Sequence, residues 1–578
     1  MLGIHFLGLD SIGARLSRRP GAAAVVVALV ALSTYIMTLG YDFAFDDHNV
    51  IPVGWQLGTV DSLEVLQTPV RADNTLLPYF RPLIAFTYWL DGFLWQGNPG
   101  GFHLTNLLLH ALVSVLVLQV ARRFLPAGPA PLLAGLLFAV HPVHVEAVAW
   151  VQGRVDLLSA AGVLLAVLLG VAGAEAVGER RLFCWVASAI VFLLALLAKE
   201  VAVVAPLLTA LVLAGQPERG GWRRVQACLP LLGLQGAAFL LYLGLRMAAL
   251  DSPALGLLGG PPLGDRVLLA LKVIPLYLRL LLWPVGLNPK HWVAPPSDLL
   301  DAGVLIGAAL LVILGAVAFT LGRRVPGLGS GLAWLALAWL PVSNLIPIPA
   351  FVLAERYVYL PSVGFCIALA GAAACLVTRQ GRLRAALVAA MLAVFVALGG
   401  LAAAQAGLWR DPRTFYEGLV RLNPDSALAH NGAGAIYLDH GEEARAEEEF
   451  RKALRLNPSY AAALNNLGIL AQRRGDLVEA RRLYRKALVA RPNQADVWNN
   501  LGTLHEAEGD LARAAAAYGE AIRLDPATPR FLANLAGVLT AQGRREEAAV
   551  LLERAIRLDP TVPRLRAALA TLRTDGQP

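Results

Sequence analysis

The stretch SYAAALNNLGILAQRRGDLVEARRLYRKALVARP, residues 459–492, is one unit of a repeat that fills the chain from residue 425 onward. Prolines that end a helical pattern recur every 34 residues, at Pro424, Pro458, Pro492, Pro526 and Pro560. Small and aromatic apolar residues return at the same offsets in successive units. A fixed period of this length predicts an array of stacked helix pairs.

Each unit resembles the tetratricopeptide repeat, a helix-turn-helix of 34 residues. A glycine at every mid-unit turn predicts the left-handed residue that ends the first helix, at Gly441, Gly475, Gly509 and Gly543. We predict four repeats and a capping helix over 425–578, preceded by a half-repeat connector over 405–424. Together these form an α-solenoid.

Arrays of this kind offer a concave groove, commonly for an extended peptide. Five asparagines recur on the first helices as candidate peptide-binding residues: Asn465, Asn466, Asn499, Asn500 and Asn534. The alternatives are that these asparagines form a solvated face, and that the array self-associates or packs on the rest of the chain.

Upstream of the array the composition is that of a membrane protein. The 578 residues are 57% apolar and 16% charged, against about 45–50% and about 25% in soluble domains. Eleven apolar runs approach the roughly 20 residues that a membrane helix needs: 21–41, 102–121, 129–149, 155–173, 182–198, 201–215, 226–245, 303–321, 330–348, 358–376 and 385–404. We therefore predict an all-α fold, with a polytopic membrane domain over 1–404 ahead of the solenoid.

Basic residues set the predicted orientation. With eleven crossings every arginine cluster between spans falls on one side, the cytoplasm. The amino terminus is then cytoplasmic, and the outer loops 42–101 and 246–302 and the array lie outside a cytoplasmic (inner) membrane. The apolar run 267–287 is predicted to be amphipathic or re-entrant, since a twelfth crossing would move Arg323 and Arg324 outward. Basic residues in loops between spans indicate a lipid bilayer and no nucleic-acid partner.

Ionisable residues near membrane depth mark candidate sites. Asp46 and Asp47 follow the first span. Neighbouring side chains on a helix diverge by about 100°, so only one carboxylate can face a substrate. The other would orient the first or cap a turn, and a purely structural turn aspartate is an equal alternative.

A second group of polar residues surrounds predicted outer turns. One turn carries His141, His144, Glu146, Arg154 and Asp156. Histidine and carboxylate can bind a metal, but the spacing matches no HExxH pattern, so a hydrogen-bonded network is favoured and no cofactor is firmly implied. Cations and acids follow at Arg81, Lys199, Glu200, Arg246, Glu355 and Arg356. Adjacent charges can simply neutralise each other, whereas several cations around one outer cavity would suit a phosphate.

The segments FDD at 45–47, YFRPL at 79–83, HPVHVEAVAWVQGRVDLLSA at 141–160 and AERYVYLPSVGFC at 354–366, with repeats behind them, resemble the transmembrane-and-tetratricopeptide-repeat-containing protein O-mannosyltransferases and their bacterial relatives. The resemblance implies a GT-C glycosyltransferase fold, a polyprenyl-phosphate sugar donor, with mannose or another hexose, and protein Ser/Thr acceptors selected by the array. It also implies Asp46, with Asp47 as neighbour and alternative, as general base. The implied phosphate-binding residues are Arg81, Lys199, Arg246 and Arg356.

The residues are also compatible with two other functions. One is a non-catalytic membrane scaffold whose repeats recruit envelope proteins, and the other is a transporter of lipid-linked sugar. The sequence contains no Gly-Lys dipeptide and hence no Walker A loop, which disfavours ATP-driven transport.

Overall fold

The computed structural model describes residues 20–45, 47, 51, 80–215, 221–250, 261–291, 293–346, 352–377, 382–526, 528–559 and 562–574. Across these ranges the regular secondary structure is helical, with no strand. The all-α prediction is therefore confirmed.

The amino-terminal part contains fifteen α-helices among the described residues: α1 Pro20–Tyr35, α2 Pro82–Trp95, α3 Pro99–Phe124, α4 Ala130–Val140, α5 Val145–Ala149, α6 Arg154–Glu175, α7 Gly178–Ala198, α8 Ala205–Ala214, α9 Gly221–Ala227, α10 Leu229–Ala249, α11 Leu263–Leu282, α12 Ala302–Leu321, α13 Leu328–Trp339, α14 Ser362–Val377 and α15 Arg382–Ala406. Short 3-10 turns join several of them. Seven segments of the described chain are long and apolar enough to cross a membrane, those built on α1, α3, α6, α7, α10, α12 and α15. The protein is therefore a multi-pass membrane protein.

The other predicted spans are shorter or bent. The predicted span 129–149 is not one straight helix, because α4 and the segment 142–149 meet at an angle of 50°. Pro142 cannot donate a backbone hydrogen bond, and a proline disfavours helical geometry in the residue before it. The apolar helices Glu200–Ala214, Leu328–Val342 and Ser362–Val377 have fewer than 18 residues. Eleven crossings therefore stay a prediction.

Helix α11 occupies the apolar run expected to be amphipathic or re-entrant. One of its faces is buried, with Val273 and Tyr277 in the core, while Leu263 and Leu282 are exposed. It packs against α12. Its relation to the membrane stays a prediction.

The carboxy-terminal part is a row of helix pairs, preceded by α16 Pro412–Leu422: α17 Ala427–Asp439 with α18 Glu443–Leu456, α19 Ala461–Arg473 with α20 Leu477–Ala490, α21 Ala495–Ala507 with α22 Leu511–Leu524, and α23 Pro529–Ala541 with α24 Arg545–Leu558. Helix α25, Pro563–Thr574, follows the last pair. The four mid-unit glycines adopt φ between 76° and 81°, as the sequence predicted. Only glycine takes this left-handed backbone without a steric penalty.

A single buried cluster joins the membrane part to the start of the array. Trp409, Phe415, Leu419 and Ala429 belong to the same apolar cluster as residues of α3, α4 and α6. The later repeats have separate cores. The first repeat unit is thus packed against the membrane part as well as against its own neighbours.

Candidate active site

The first ion pair of the candidate site joins the 141–156 turn to the 3-10 turn Glu355–Val358. Glu146 is almost completely buried, and its carboxylate accepts hydrogen bonds from the guanidinium of Arg356 and, at 2.9 Å, from the Arg356 backbone N–H. The same guanidinium lies 5.2 Å from the ring centres of Trp150 and Tyr357. Cation–π contacts of this kind further stabilise a partly desolvated cation.

Lys199, directly after α7, forms the second pair. Its Nζ lies 2.6 Å from Asp156 Oδ1 and 5.3 Å from the centre of the Tyr357 ring. Burial lowers the pKa of Lys199 from its usual value; Asp156 opposes this effect, and the charges of Arg81 and Arg356 add to it. Lys199 therefore shares its electrostatic environment with two other cations.

Glu200 is the shared partner of the remaining two predicted cations. Its carboxylate lies 3.3 Å from Arg81 Nη2 and 3.0 Å from Arg246 Nη1. Arg246 also donates to the Tyr242 hydroxyl at 3.3 Å. The Glu200 carboxylate therefore forms ion pairs with two guanidinium groups.

The structure thus brings the four predicted cations into neighbouring ion pairs at one place, where they face the three carboxylates of Glu146, Asp156 and Glu200. Every one of the four cations therefore has a carboxylate partner in this group. A cavity of about 10 Å³ lies between Asp156, Ser159, Arg356 and Tyr357. That is room for about one water molecule.

Glu355 lies beside this group of ion pairs, close to Glu146. Its carboxylate accepts a hydrogen bond from the backbone N–H of Asn288 and lies 3.2 Å from His291 Nε2. Burial raises the pKa of Glu355, His291 opposes that shift, and the nearby charge of Glu146 raises the pKa further. Burial therefore weakens the tendency of Glu355 to carry a negative charge.

Of the aspartate pair, only Asp47 lies within the described residues; Asp46 lies outside them. Asp47 is fully buried. Its Oδ2 accepts the N–H of Ala44 at 3.0 Å, and its Oδ1 accepts the N–H of Gln152 at 3.2 Å. Burial raises the pKa of Asp47 to about 7, although these hydrogen bonds and the charge of Arg154 oppose the shift. Asp47 thus caps a turn and ties it to the 141–156 turn.

Arg154 is not brought to the Arg356 pair. It is fully buried and forms an ion pair with Asp91 of α2. Its Nε donates to Asn106 Oδ1 at 3.0 Å, and its Nη2 donates to the Phe102 carbonyl at 2.9 Å. Arg154 therefore clamps α2, α3 and α6 together. Sequence reasoning missed Asp91, although a lone acid within the apolar run YWLDGFLW was a usable signal.

The histidines of the turn lie in a hydrogen-bonded network. His141 donates to the Leu281 carbonyl at 3.0 Å, which fastens the turn to α11. His144 is hydrogen-bonded to the Phe138 carbonyl and to the Ser362 hydroxyl, both at 2.8 Å. His110, which the sequence did not single out, lies 2.8 Å from the Tyr359 hydroxyl. Within the described ranges, no three His, Cys, Asp or Glu side chains are grouped as a metal site.

An aromatic cluster lies beside the turn that Asp47 caps, which is called the aspartate turn below. Phe45 has φ of 55°, a left-handed backbone that costs a non-glycine residue about 1–3 kcal/mol and persists where packing enforces it. Its ring lies 5.7 Å from that of Trp150 and 5.1 Å from that of Phe415. Trp150 stacks on Trp409 at 5.6 Å. Nothing in the sequence pattern predicted this cluster.

The five predicted asparagines of the array all take part in amide hydrogen bonds across repeats, one of them with Asn431, which was not predicted. Each of three amides donates to an asparagine 35 residues earlier: Asn466 to Asn431 at 3.1 Å, Asn500 to Asn465 at 2.9 Å, and Asn534 to Asn499 at 2.8 Å. Asn465 and Asn499 are buried, while Asn466, Asn500 and Asn534 are half-buried. The first helices are therefore joined by an amide ladder with one partly accessible side.

Two family models match the carboxy-terminal part of the chain. A tetratricopeptide repeat model matches residues 398–460 and 437–495, and the model of the cilia and flagella-associated protein 70 middle TPR-like domain matches 471–569. Among solved structures, Pseudomonas aeruginosa pilF is 28% identical, with a TM-score of 0.25 over 26% of this chain and 70% of that one.

Curated relatives extend over most of the chain. Protein O-mannosyl-transferase TMTC4 of Homo sapiens is 30% identical over 74% of this chain and 65% of its own length. Protein O-mannosyl-transferase Tmtc1 of Drosophila melanogaster is 27% identical over 77% and 62%, and TMTC3 of Mus musculus is 32% identical over 60% and 41%. The chain therefore spans less than two thirds of the length of these relatives.

Proposed function

The chain is a relative of the protein O-mannosyl-transferases that combine membrane helices with tetratricopeptide repeats, and on that premise we propose that it is an integral-membrane glycosyltransferase. It transfers a sugar, mannose or another hexose, from a polyprenyl-phosphate donor to Ser or Thr hydroxyls of proteins. The amino terminus lies in the cytoplasm, and the site and the array lie outside the inner membrane.

The observation that supports the proposal is the gathering of Arg81, Lys199, Arg246 and Arg356 in neighbouring ion pairs. When the bond between the anomeric carbon and the phosphate oxygen breaks, the departing phosphate gains negative charge. Prearranged cations and N–H donors in a site that excludes water stabilise such charge most in the transition state. In this proposal the donor phosphate takes the place of Glu200 as the partner of Arg81 and Arg246, which share that carboxylate.

The base in this proposal is Asp46. The acceptor hydroxyl attacks the anomeric carbon from the face opposite the phosphate, and its proton passes to the Asp46 carboxylate, with inversion at that carbon. Positioned proton abstraction contributes about 10²–10⁴-fold. Asp47 supports this assignment, because both of its oxygens already accept backbone N–H groups and its side chain is fully buried. Asp47 caps a turn and is the sequence neighbour of Asp46.

The array selects the acceptor. The half-buried side of the asparagine ladder, on Asn466, Asn500 and Asn534, supplies amide groups that can hydrogen-bond an extended peptide backbone.

The test uses the purified full chain in lipid nanodiscs with synthetic polyprenyl-phosphate mannose and a Ser/Thr peptide, with mass-spectrometric detection of added hexose. Asp46→Asn is expected to reduce transfer by at least 100-fold, while Asp47→Asn retains measurable transfer and Asp439→Asn, an exposed array variant, leaves it unchanged. Transfer at wild-type rates by Asp46→Asn, Asp47→Asn and their double variant would falsify the assignment of the base. No hexose transfer by the wild type from polyprenyl-phosphate mannose or glucose argues against the enzyme.

A further inference from the structure

A further inference rests on the contact between the aspartate turn, which Asp47 caps, and α16, the half-repeat helix that precedes the array. Phe45, with its left-handed backbone, directly precedes Asp46 and lies two residues before Asp47. Its ring packs against two residues of α16, Phe415 at 5.1 Å and Tyr416 at 6.4 Å. A strained backbone persists only where surrounding contacts enforce it, so these aromatic contacts hold the turn in place.

Phe415 is the centre of this contact. It is fully buried, belongs to the core shared with the membrane part, and also lies 4.8 Å from Trp409. Trp409 in turn stacks on Trp150, the residue beneath the Arg356 guanidinium. One aromatic cluster therefore touches both the aspartate turn and the phosphate-side cation.

A second, polar connection lies at the other end of α16. Asn423 and Asn288 exchange two amide hydrogen bonds, at 2.7 and 2.8 Å. The backbone N–H of Asn288 donates to Glu355, the neighbour of Arg356. At the beginning of α16, the Asp42 N–H donates to the Arg410 carbonyl at 2.9 Å. Both ends of the half-repeat are thus bonded to segments that carry candidate site residues.

We propose that α16 is a wall of the active site and that Phe415 is a positioning residue, which sets, through Phe45, the geometry of the turn that Asp47 caps. This inference rests on the proposed function. The array is then no detachable acceptor-binding module, because α16, the half-repeat helix that leads into it, holds the turn next to the candidate base in the sequence. A misplacement of about 1 Å at a reacting group can cost on the order of 100-fold in rate.

Truncation of Phe415 should affect the catalytic rate and the binding of the donor differently. In this proposal Phe415 acts on the aspartate turn through Phe45, so its truncation should lower kcat and leave the KM for the donor unchanged. A merely structural role would instead lower the amount of folded enzyme and leave the kcat of the folded fraction intact.

The variants are Phe415→Leu and Phe415→Ala, with Phe450→Leu as the matched control. Phe450 is also a fully buried phenylalanine on a helix of the array, but it lies in the core of the first full repeat. Transfer to a short Ser/Thr peptide is measured in nanodiscs, per folded enzyme. We expect Phe415→Leu to lower kcat about tenfold, with the donor KM within twofold, and Phe415→Ala to lower it further. Phe450→Leu should keep kcat within twofold of wild type.

Hydrogen exchange followed by mass spectrometry supplies a readout that needs no activity. Peptides covering 41–51 should exchange at least fivefold faster in Phe415→Leu than in wild type, and at the wild-type rate in Phe450→Leu. Wild-type kcat together with wild-type exchange in Phe415→Leu overturns the inference. A wild-type enzyme that transfers no sugar overturns the proposed function, and the exchange measurement still decides whether Phe415 positions the turn.

Discussion

Lys199 and Asp156 form an ion pair at 2.6 Å, and each side chain is more than nine-tenths removed from solvent. Removing one partner of such a pair leaves an uncompensated buried charge, at about 3–5 kcal/mol. We therefore expect Asp156→Ala to lower the midpoint of thermal unfolding by many degrees. The double variant Lys199→Met with Asp156→Leu should recover much of the loss, because apolar replacement of both charges is often neutral.

The control is the exposed pair of Arg410 and Asp411, in which the Arg410 side chain is 64% exposed. Exposed pairs contribute about 0–1 kcal/mol, so Arg410→Ala should shift the midpoint little. Comparable losses in Arg410→Ala and Asp156→Ala would contradict the importance of burial at the Lys199 pair.

A second prediction concerns the two arginines that share Glu200. If they hold the donor phosphate, Arg81→Gln and Arg246→Gln should each lower kcat/KM for the donor about tenfold, because each removes one charge-assisted hydrogen bond of about 1.5–3 kcal/mol. The fold should survive either change, since Glu200 retains one guanidinium. Initial rates at varied donor concentration test this.

Arg279→Gln is the matched control, since Arg279 is an exposed arginine of α11. Its kcat/KM for the donor should equal that of wild type. If Arg81→Gln and Arg246→Gln also match wild type, the phosphate site lies elsewhere.

A third prediction follows from the raised pKa of Asp47, about 7 in the folded protein against about 3.9 for a free aspartate. Between these values the native state keeps a proton that the unfolded state has lost, so stability falls as the pH rises from about 4 to 7. Asp47→Asn is neutral throughout and lacks this decline. Unfolding midpoints at pH 5 and pH 8 should show wild type losing stability relative to the variant, and a constant difference would rule out a buried, proton-binding Asp47.

The regular parts of the molecule could be predicted from the sequence because they rest on local periodicity. The 34-residue spacing of prolines indicated the repeat pairs, and the left-handed glycines occur at the positions that the turn chemistry required. The bend after α4 was not predicted, although Pro142 marks it. A proline can break a helix or kink it, and the neighbouring helices decide the outcome.

The sequence indicated which charged residues belong to the candidate site. It did not indicate which of these residues pair with each other. Arg356 and Glu146 are 210 residues apart, and Phe45 and Phe415 are 370 residues apart. No local pattern encodes which buried acid meets which cation, because that choice depends on how helices distant in sequence pack. The same reason explains why Arg154 was expected beside the other turn residues and instead pairs with Asp91.

The last prediction separates two roles of the asparagine ladder. Asn500 donates to Asn465 and is itself half-buried, so that part of its amide faces outward. If the ladder only fastens repeats together, Asn500→Ala should lower the free energy of unfolding by about 1–3 kcal/mol, because the acceptor oxygen of buried Asn465 is left unpaired, and should leave the acceptor KM unchanged. If the outward side binds the acceptor, as we expect, the KM for a long Ser/Thr peptide rises at least fivefold while the KM for the donor stays constant. Asn457→Ala is the control, because Asn457 is an exposed asparagine at the end of α18 whose side-chain oxygen accepts hydrogen bonds from Ser459, two residues further along the chain. Equal acceptor KM values for Asn500→Ala, Asn457→Ala and wild type would leave the ladder as a purely structural device and would move acceptor selection to another face of the array.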